Sequence, residues 1–229
     1  MFGHHTILCI MKHWYNLLMN KFSFVDRMKQ ETWDEHEASK DSKFAKGIMS
    51  GEFGQQGFIE WQRALYPIYV TLETILKKNR KDPVLHVFDH RKLDRSERIY
   101  NDLVSLGEDP IKIPSPLKTI PPYIAAIQKA SETPQRLMAY HYTRYMGDMN
   151  GGQVIARAME NVCGIDKSSL TCYDFSEVGD TYHYRKQYKT LLEMSPWTEE
   201  EREAFIDEAK IAYARNADFF EELYQYLTI

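Results

Sequence analysis

The sequence predicts an all-α protein built from long helices around one core. Apolar residues recur at intervals of three and four along most of the chain, which is the period of a helix and not of a strand. Only 11 glycines and 9 prolines occur among the 229 residues, so few positions favour a break in that period. We find no internal repeat and no low-complexity tract, which excludes a solenoid.

The predicted helices follow one another wherever the period persists. The first helix is predicted over 24–46 and the second over 54–78. The second carries an apolar stripe along its buried face: Phe58, Trp61, Leu65, Ile68, Leu72 and Ile75. Pro67 falls inside it, and we expect a bend there because proline removes a backbone hydrogen bond. Further helices are predicted over 94–106, 121–130, 134–163, 181–194 and 198–227.

One stretch, 107–122, contains five prolines and is predicted to be a loop. We interpret it as a surface connection within one domain of residues 24–229, because neither flank shows a shift in composition. Residues 1–23 are too polar for a membrane span and lack the core of a signal peptide. We therefore expect a flexible leader there and no transmembrane anchor anywhere in the chain.

Charge and cysteine content narrow the class of protein. The 33 acidic and 29 basic residues give a formal net charge of -4, which offers no general reason to expect a nucleic-acid partner. Three cysteines, Cys9, Cys163 and Cys172, form no CxxC pair and are interpreted as free thiols in a reducing compartment. The sequence thus predicts a soluble cytoplasmic monomer, with an organellar stroma as the other location.

The most informative segment is AYHYTRYMGDMNGGQVIARAM at 139–159, which places three glycines inside a helical pattern. A glycine within a helix costs about 1 kcal/mol relative to alanine, so three of them require a reason. Gly147 and Gly151 are four residues apart and share a face, where the backbone can approach something flat. Close packing of two helices is the alternative reading of that spacing. Asp148 and Asn150 beside the glycines favour a ligand site.

This segment closely resembles the distal-helix signature of the heme oxygenase family, in its part YTRYMGDMNGGQ. The resemblance continues in ALYPIYVTLE at 64–73, YRKQYK at 184–189 and EAKIAYARNADFFEEL at 208–223. It implies a single-domain heme oxygenase-like fold, with heme between a proximal helix and the glycine-containing helix. Gly147, Gly151 and Asp148 are then the expected catalytic positions, with Asp148 acting through a water molecule.

The resemblance assigns the proximal heme-iron ligand to His36, in TWDEHEASKDSKF, and a heme contact to Phe44. A neutral imidazole suits heme iron because it leaves the opposite face open to oxygen. Lys40 departs from the family, which has a glutamate four residues after the ligand to orient the imidazole. Glu37 and Asp41 are the carboxylates that could substitute, and the sequence does not choose between them.

Cations for the heme propionates are implied at Lys29, Arg185 and Lys189, since carboxylates bind lysine and arginine through charge-assisted hydrogen bonds. Without the resemblance, the basic run around Arg185 would be interpreted as a solvated face. Trp33 stands where the family has a further lysine. One cationic contact is therefore expected to be absent.

The resemblance also predicts a polar network on the distal side and aromatic contacts from the last helix. The residues concerned are Tyr142, Arg144, Asp148, Tyr66 and Asn216 for the network, and Tyr213 and Phe220 for the last helix. Tyr142 and Tyr213 are also expected to contact heme, whereas Phe220 is expected to pack in the core. Asn150 replaces a serine of the family and should change the shape of the pocket more than its polarity.

These expectations amount to a heme oxygenase that converts heme b to biliverdin, carbon monoxide and iron, using O2 and electrons from a reductase or ferredoxin. A heme-sequestering protein of the same fold is the main alternative, motivated by Lys40, Trp33 and Asn150. A ferritin-like di-iron enzyme is disfavoured because the chain has no Glu-x-x-His motif. A thiamin-degrading enzyme is disfavoured because Cys163 and Cys172 lie outside the glycine helix.

Overall fold

The structure is a computed structural model that describes residues 23–88 and 91–229. The predicted leader and Cys9 lie outside the described residues, apart from Ser23. Within the described part of the chain the regular elements are all helical, as predicted. The α-helices are α1 (Phe24–Glu31), α2 (Trp33–Lys40), α3 (Lys43–Ser50), α4 (Gly54–Lys78), α5 (Ser96–Ser105), α6 (Ile120–Ala130), α7 (Pro134–His141), α8 (Gln153–Asn161), α9 (Thr181–Met194) and α10 (Glu199–Leu227).

The prediction of one helix over 24–46 is wrong, because three short helices occupy this region. The first break is at Thr32, whose hydroxyl donates to the Met28 carbonyl at 2.8 Å while its backbone leaves helical geometry. The second break precedes Ser42, whose extended backbone and side-chain bond to the Ala45 amide begin a new helix. His36 therefore lies in the middle of a helix of eight residues.

Helix α4 spans Gly54–Lys78 as predicted and continues through Pro67. Five residues of the predicted stripe are buried, and Ile75 packs against the core at its edge. The buried face is wider than the stripe, since Tyr69 is fully buried as well. This helix passes behind the glycine-rich stretch and supplies part of its inner wall.

The predicted helix over 134–163 is confirmed as an uninterrupted helical stretch from Pro134 to Asn161, but it is not α-helical throughout. Between α7 and α8 the backbone forms two π-helical stretches, Tyr142–Met146 and Asp148–Gly152, joined by Gly147. Residues 142–152 are called the glycine segment below. A π-helical turn widens the helix by one residue and is frequent at functional sites. The regular helix then ends at Asn161, so Cys163 follows it.

The proline-rich connection is shorter than predicted because α6 begins at Ile120 and takes Pro121 and Pro122 into its first turn. Glu222 on α10 accepts hydrogen bonds from the backbone amides of Lys118 and Thr119, both at 2.8 Å. These contacts attach the end of the connection to the last helix.

Helix α10 forms the centre of the packing and contacts α2, α3 and α7. Its start is fixed by a reciprocal pair in which Thr198 and Glu201 each bond the backbone amide of the other. Its buried face is apolar and consists chiefly of Phe205, Ile206, Ala209, Ala212, Phe219 and Leu223. None of the described helices is both long enough and apolar enough to cross a membrane.

Two buried charged side chains attach the loop at 171–174 to the rest of the fold. Asp102 accepts from the Thr171 and Cys172 amides at 2.9 and 2.8 Å. Arg95 is fully buried and donates to the carbonyls of Cys172 and Asp174 at 3.1 and 2.7 Å. Because Tyr173 in this loop packs against Gly152, these bonds also support the glycine segment from behind.

Candidate functional site

The three glycines of the glycine segment have two different surroundings. Gly147 and Gly151 are exposed, and a Cβ atom built on either meets no atom within 4 Å. A Cβ on Gly152 would lie 2.7 Å from the Tyr173 ring, so that glycine is needed for packing. None of the three has a positive φ, so backbone strain does not explain them. Gly147 and Gly151 thus leave bare backbone beside open space, as a flat ligand would require.

Asp148 lies between these glycines and is turned into the protein, where it is buried. One carboxylate oxygen accepts a hydrogen bond from the Tyr69 hydroxyl, and the other lies 3.5 Å from Arg144 Nη2. Arg144 Nη1 in turn donates to Asn216 Oδ1 at 2.8 Å, which also accepts from the Tyr123 hydroxyl at 2.8 Å. The result is one connected polar network behind an exposed glycine backbone.

Neighbouring groups in this network hold the positive charge on Arg144. Burial alone lowers the pKa of Arg144, but Tyr69, Tyr123 and Asp148 outweigh it and hold that pKa above the ordinary value. Burial and the neighbouring Asp148 carboxylate raise the pKa of Tyr69, so its hydroxyl keeps its proton and acts as a donor.

The prediction that Tyr66 belongs to this network is wrong. Tyr66 lies against Tyr100, with ring centroids 6.1 Å apart, and Tyr69 takes the position next to Asp148. The apolar stripe of α4 contained the signal for this difference. Tyr69 is four residues after Leu65 and three before Leu72, so helical geometry places it on the buried face.

His36 lies on α2 with its side chain about half exposed. Its ring meets the ring of Tyr213 on α10 edge-on, with centroids 5.7 Å apart, and its Nδ1 lies 3.2 Å from Glu37 Oε1. The Trp33 ring is 6.3 Å away on the same helix. His36 is therefore accessible, yet two neighbours restrict the orientation of its ring.

The three predicted cations lie close together on α1 and α9. The pKa of Lys189 is lowered by burial and by the neighbouring charges of Lys29 and Arg185. Arg185 Nη1 donates to Asn150 Oδ1 at 2.7 Å, which joins the cluster to the glycine segment. Lys29 Nζ lies 6.0 Å from the centre of the Trp33 ring, a cation–π distance that joins it to α2. This cluster of positive charge therefore adjoins the glycine segment on one side and α2, the helix that carries His36, on the other.

The remaining predicted contacts are aromatic. Tyr142 lies between the rings of Tyr188 and Phe205, and burial raises its pKa to about 12. Phe44 is fully buried and stacks on Phe53 at 5.9 Å, so it belongs to the core. Phe220 packs against Phe44 at 5.4 Å, which confirms its expected role in the core. Contacts of Tyr142, Tyr213 and Phe44 with heme stay predictions.

Comparison with known proteins identifies the family of this fold and site. The family model described as heme oxygenase matches residues 22–222. The chain belongs to the heme oxygenase family. Heme oxygenase 1 of Bos taurus is 28% identical over 211 residues, which covers 89% of this chain and 72% of that protein. Heme oxygenase of the alga Porphyra purpurea is 26% identical, covering 88% of this chain and 86% of that protein.

Solved heme oxygenase structures share the fold. Heme oxygenase from Leptospira interrogans aligns with a TM-score of 0.80 and 26% identity, covering 88% of this chain and 100% of that chain. Heme oxygenase-1 from the cyanobacterium Synechocystis, solved in complex with heme, aligns with a TM-score of 0.83 and 23% identity. That alignment covers 90% of this chain and 95% of the cyanobacterial chain.

Proposed function

We propose that this chain binds heme b and cleaves it oxidatively to biliverdin, carbon monoxide and iron. The observation that carries this proposal is the bare backbone of Gly147 and Gly151 in front of the buried Asp148 network. When bound, heme supplies both the iron that binds O2 and the ring that is oxidised. The residues of this chain hold that molecule, orient it and control protons next to it.

His36 would bind the heme iron. A carboxylate only accepts hydrogen bonds, so the contact with Glu37 places the proton of the neutral ring on Nδ1. Nε2 then carries the lone pair that a metal requires. The half-exposed position of the ring on a short helix supports this role, since a ligand must reach it.

Lys29, Arg185 and Lys189 would bind the propionates. Burial and the neighbouring charges of Lys29 and Arg185 lower the pKa of Lys189, so the cluster disfavours a third positive charge. Two carboxylates would relieve that repulsion through charge-assisted hydrogen bonds. Arg185 would also fix the edge of the ring relative to the glycine segment, because Asn150 holds its guanidinium.

Asp148 would act through a water molecule on the distal side. Tyr69 and Arg144 fix the two carboxylate oxygens, so the remaining lone pairs have defined directions. A water oriented by these lone pairs can deliver a proton next to Gly147 and Gly151. Asp148 is thus proposed as the residue that directs oxidation to the ring, together with the steric effect of the two glycines.

The electron donor in this proposal is an external reductase or ferredoxin. We further propose that residues 24–229 act as a single domain and a monomer, in the cytoplasm or an organellar stroma. Cys163 and Cys172 are both free thiols, which supports a reducing compartment.

A heme-sequestering role is the second candidate, favoured by the departures at Trp33 and Lys40 beside His36. One experiment separates the two functions. Hemin is added to the protein, and ascorbate is then supplied in air while the absorption spectrum is followed. The proposed function predicts loss of the Soret band and growth of biliverdin absorption, whereas a sequestering protein keeps the Soret band.

The hemin complex of the His36→Ala variant tests the proposed iron ligand. Electron paramagnetic resonance of the ferric complex should show loss of the nitrogen ligand in this variant and its return on addition of imidazole. A spectrum identical to that of the wild type would remove His36 from the role. Circular dichroism of the heme-free variant is the control, and it should be unchanged because the side chain is half exposed.

A further inference from the structure

The imidazole of His36 contacts a carboxylate that belongs to the next residue in the chain. His36 Nδ1 lies 3.2 Å from Glu37 Oε1. Adjacent residues on a helix normally point in different directions, so this contact requires the Glu37 side chain to fold back toward the ring. The carboxylate gives the imidazole a hydrogen-bond acceptor on one side. The Tyr213 ring on α10, whose centroid lies 5.7 Å from that of the imidazole, limits rotation of the His36 ring.

Glu37 has a second partner, which stands at the position where the sequence departs from the family. Lys40 Nζ lies 3.0 and 3.3 Å from the two carboxylate oxygens of Glu37. The hydrogen bond and the charge of Glu37 raise the pKa of Lys40. A carboxylate that shares its charge with an ammonium group is a weaker acceptor for the imidazole N–H. Lys40 and His36 therefore share Glu37 as a common partner.

The other carboxylate left open by the sequence has a different partner. Asp41 Oδ1 lies 3.6 Å from Lys46 Nζ, and Asp41 follows the last residue of α2. The structure thus separates the two candidates by their contacts. Glu37 contacts the ring, and Asp41 contacts a lysine of the next helix.

We propose that Glu37 is a positioning residue that fixes the tautomer and orientation of the His36 ring, and that Lys40 attenuates this effect by pairing with Glu37. The proposal deepens the proposed function, because it concerns His36 as the heme ligand. A hydrogen-bonded carboxylate makes an imidazole ligand more basic and favours ferric over ferrous iron. Because Glu37 is paired with Lys40, the His36 imidazole is less basic than it would be with an unpaired carboxylate as its partner.

The first test uses the heme-free protein and needs no activity. Nitrogen-15 NMR at alkaline pH reports which ring nitrogen of His36 carries the proton. The wild type is expected to hold it mainly on Nδ1, and Glu37→Ala should shift the proton toward Nε2. Glu35→Ala removes the same charge at the same sequence distance and should leave the tautomer unchanged. Equal spectra for the Glu37 and Glu35 variants would overturn the proposal.

The second test measures the reduction potential and affinity of bound heme. Glu37→Ala should raise the potential and weaken hemin binding about tenfold, the lower end for loss of a partner of a metal ligand. Lys40→Ala should lower the potential, with Lys46→Ala as the control for loss of a nearby positive charge. In a Glu37→Ala background the Lys40 change should shrink to that of the Lys46 control. If Lys40→Ala changes the reduction potential as much in the Glu37→Ala background as in the wild type, Lys40 does not act through Glu37.

These outcomes are distinct from failure of the proposed function. If hemin does not bind, or binds equally well and with the same spectrum in His36→Ala, the proposed function is wrong. If hemin binds through His36 but Glu37→Ala matches Glu35→Ala in both tests, only the role of Glu37 is wrong.

Discussion

Replacing Gly151 by alanine distinguishes two possible roles of this glycine. Its bare backbone either contacts a ligand or allows close packing within the protein. The φ of Gly151 is not positive, and an added Cβ meets no atom within 4 Å. The variant therefore has no clash and no backbone strain in the heme-free protein. Alanine also has less freedom than glycine in the unfolded chain, so the substitution should stabilise the fold.

The expected magnitudes have opposite signs in the two states of the protein. Glycine within a helix is worse than alanine by roughly 0.5–1 kcal/mol, which is the predicted gain for the heme-free variant. For a chain of this size about 1 kcal/mol corresponds to roughly 2–4 °C in Tm. If heme binds against the glycine segment as proposed, the same methyl group would narrow the space available to it. Overpacking typically costs about 1–3 kcal/mol, and because each 1.4 kcal/mol is about tenfold, hemin should bind at least about fivefold more weakly.

Two measurements on Gly151→Ala check this prediction: thermal unfolding without heme, and titration with hemin. Gly152→Ala is the matched control, since its Cβ would lie 2.7 Å from the Tyr173 ring and should destabilise the heme-free protein. If Gly151→Ala is destabilised like the control and binds hemin normally, the face at Gly151 is a packing surface and the reasoning fails.

Three further predictions concern the groups around the site. Tyr69→Phe removes the donor to Asp148 and should keep hemin binding while slowing biliverdin formation about 10- to 100-fold, measured by single-turnover absorption; a normal rate contradicts it. Asp102→Ala leaves the buried amide of Cys172 and the partly buried amide of Thr171 without an acceptor and should lower the free energy of unfolding in urea by about 3 kcal/mol; a loss below about 1 kcal/mol contradicts it. The pKa of Lys189 is lowered by burial and neighbouring cations, so the unfolded chain binds more protons at alkaline pH and stability should rise with pH there. Lys189→Met should lack that rise in urea titrations, and an identical pH profile would refute the assignment.

The helical period predicted where most helices lie but not where they are interrupted. Helix α9 begins and ends at the predicted residues, because Asp180 caps it and its apolar residues keep one period. The first predicted helix instead divides at Thr32 and Ser42, since hydroxyl groups of this kind form local backbone bonds that compete with the helix. The π-helical turns were not predictable either, as apolar spacing over a few residues does not distinguish them from an α-helix.

The candidate site followed mostly from residue types in a long motif, whereas its contacts did not. The motif places Asp148 between two glycines, but only the fold brings Tyr69 from α4 to its carboxylate. The buried stripe of α4 includes Tyr69 and leaves Tyr66 at its edge, so helical periodicity predicts which of the two tyrosines faces Asp148. The sequence named Glu37 and Asp41 as possible partners of His36 but could not choose Glu37, because helical geometry does not make adjacent side chains face each other.

In the proposed function, the glycine segment and His36 hold heme for cleavage of its ring. The most direct measurement is the carbon monoxide released when the hemin complex is reduced under O2, quantified against the heme consumed. Cleavage to biliverdin predicts carbon monoxide equimolar with heme, because the ring loses one bridging carbon. Heme that is recovered intact, or that bleaches without releasing carbon monoxide, would contradict the account.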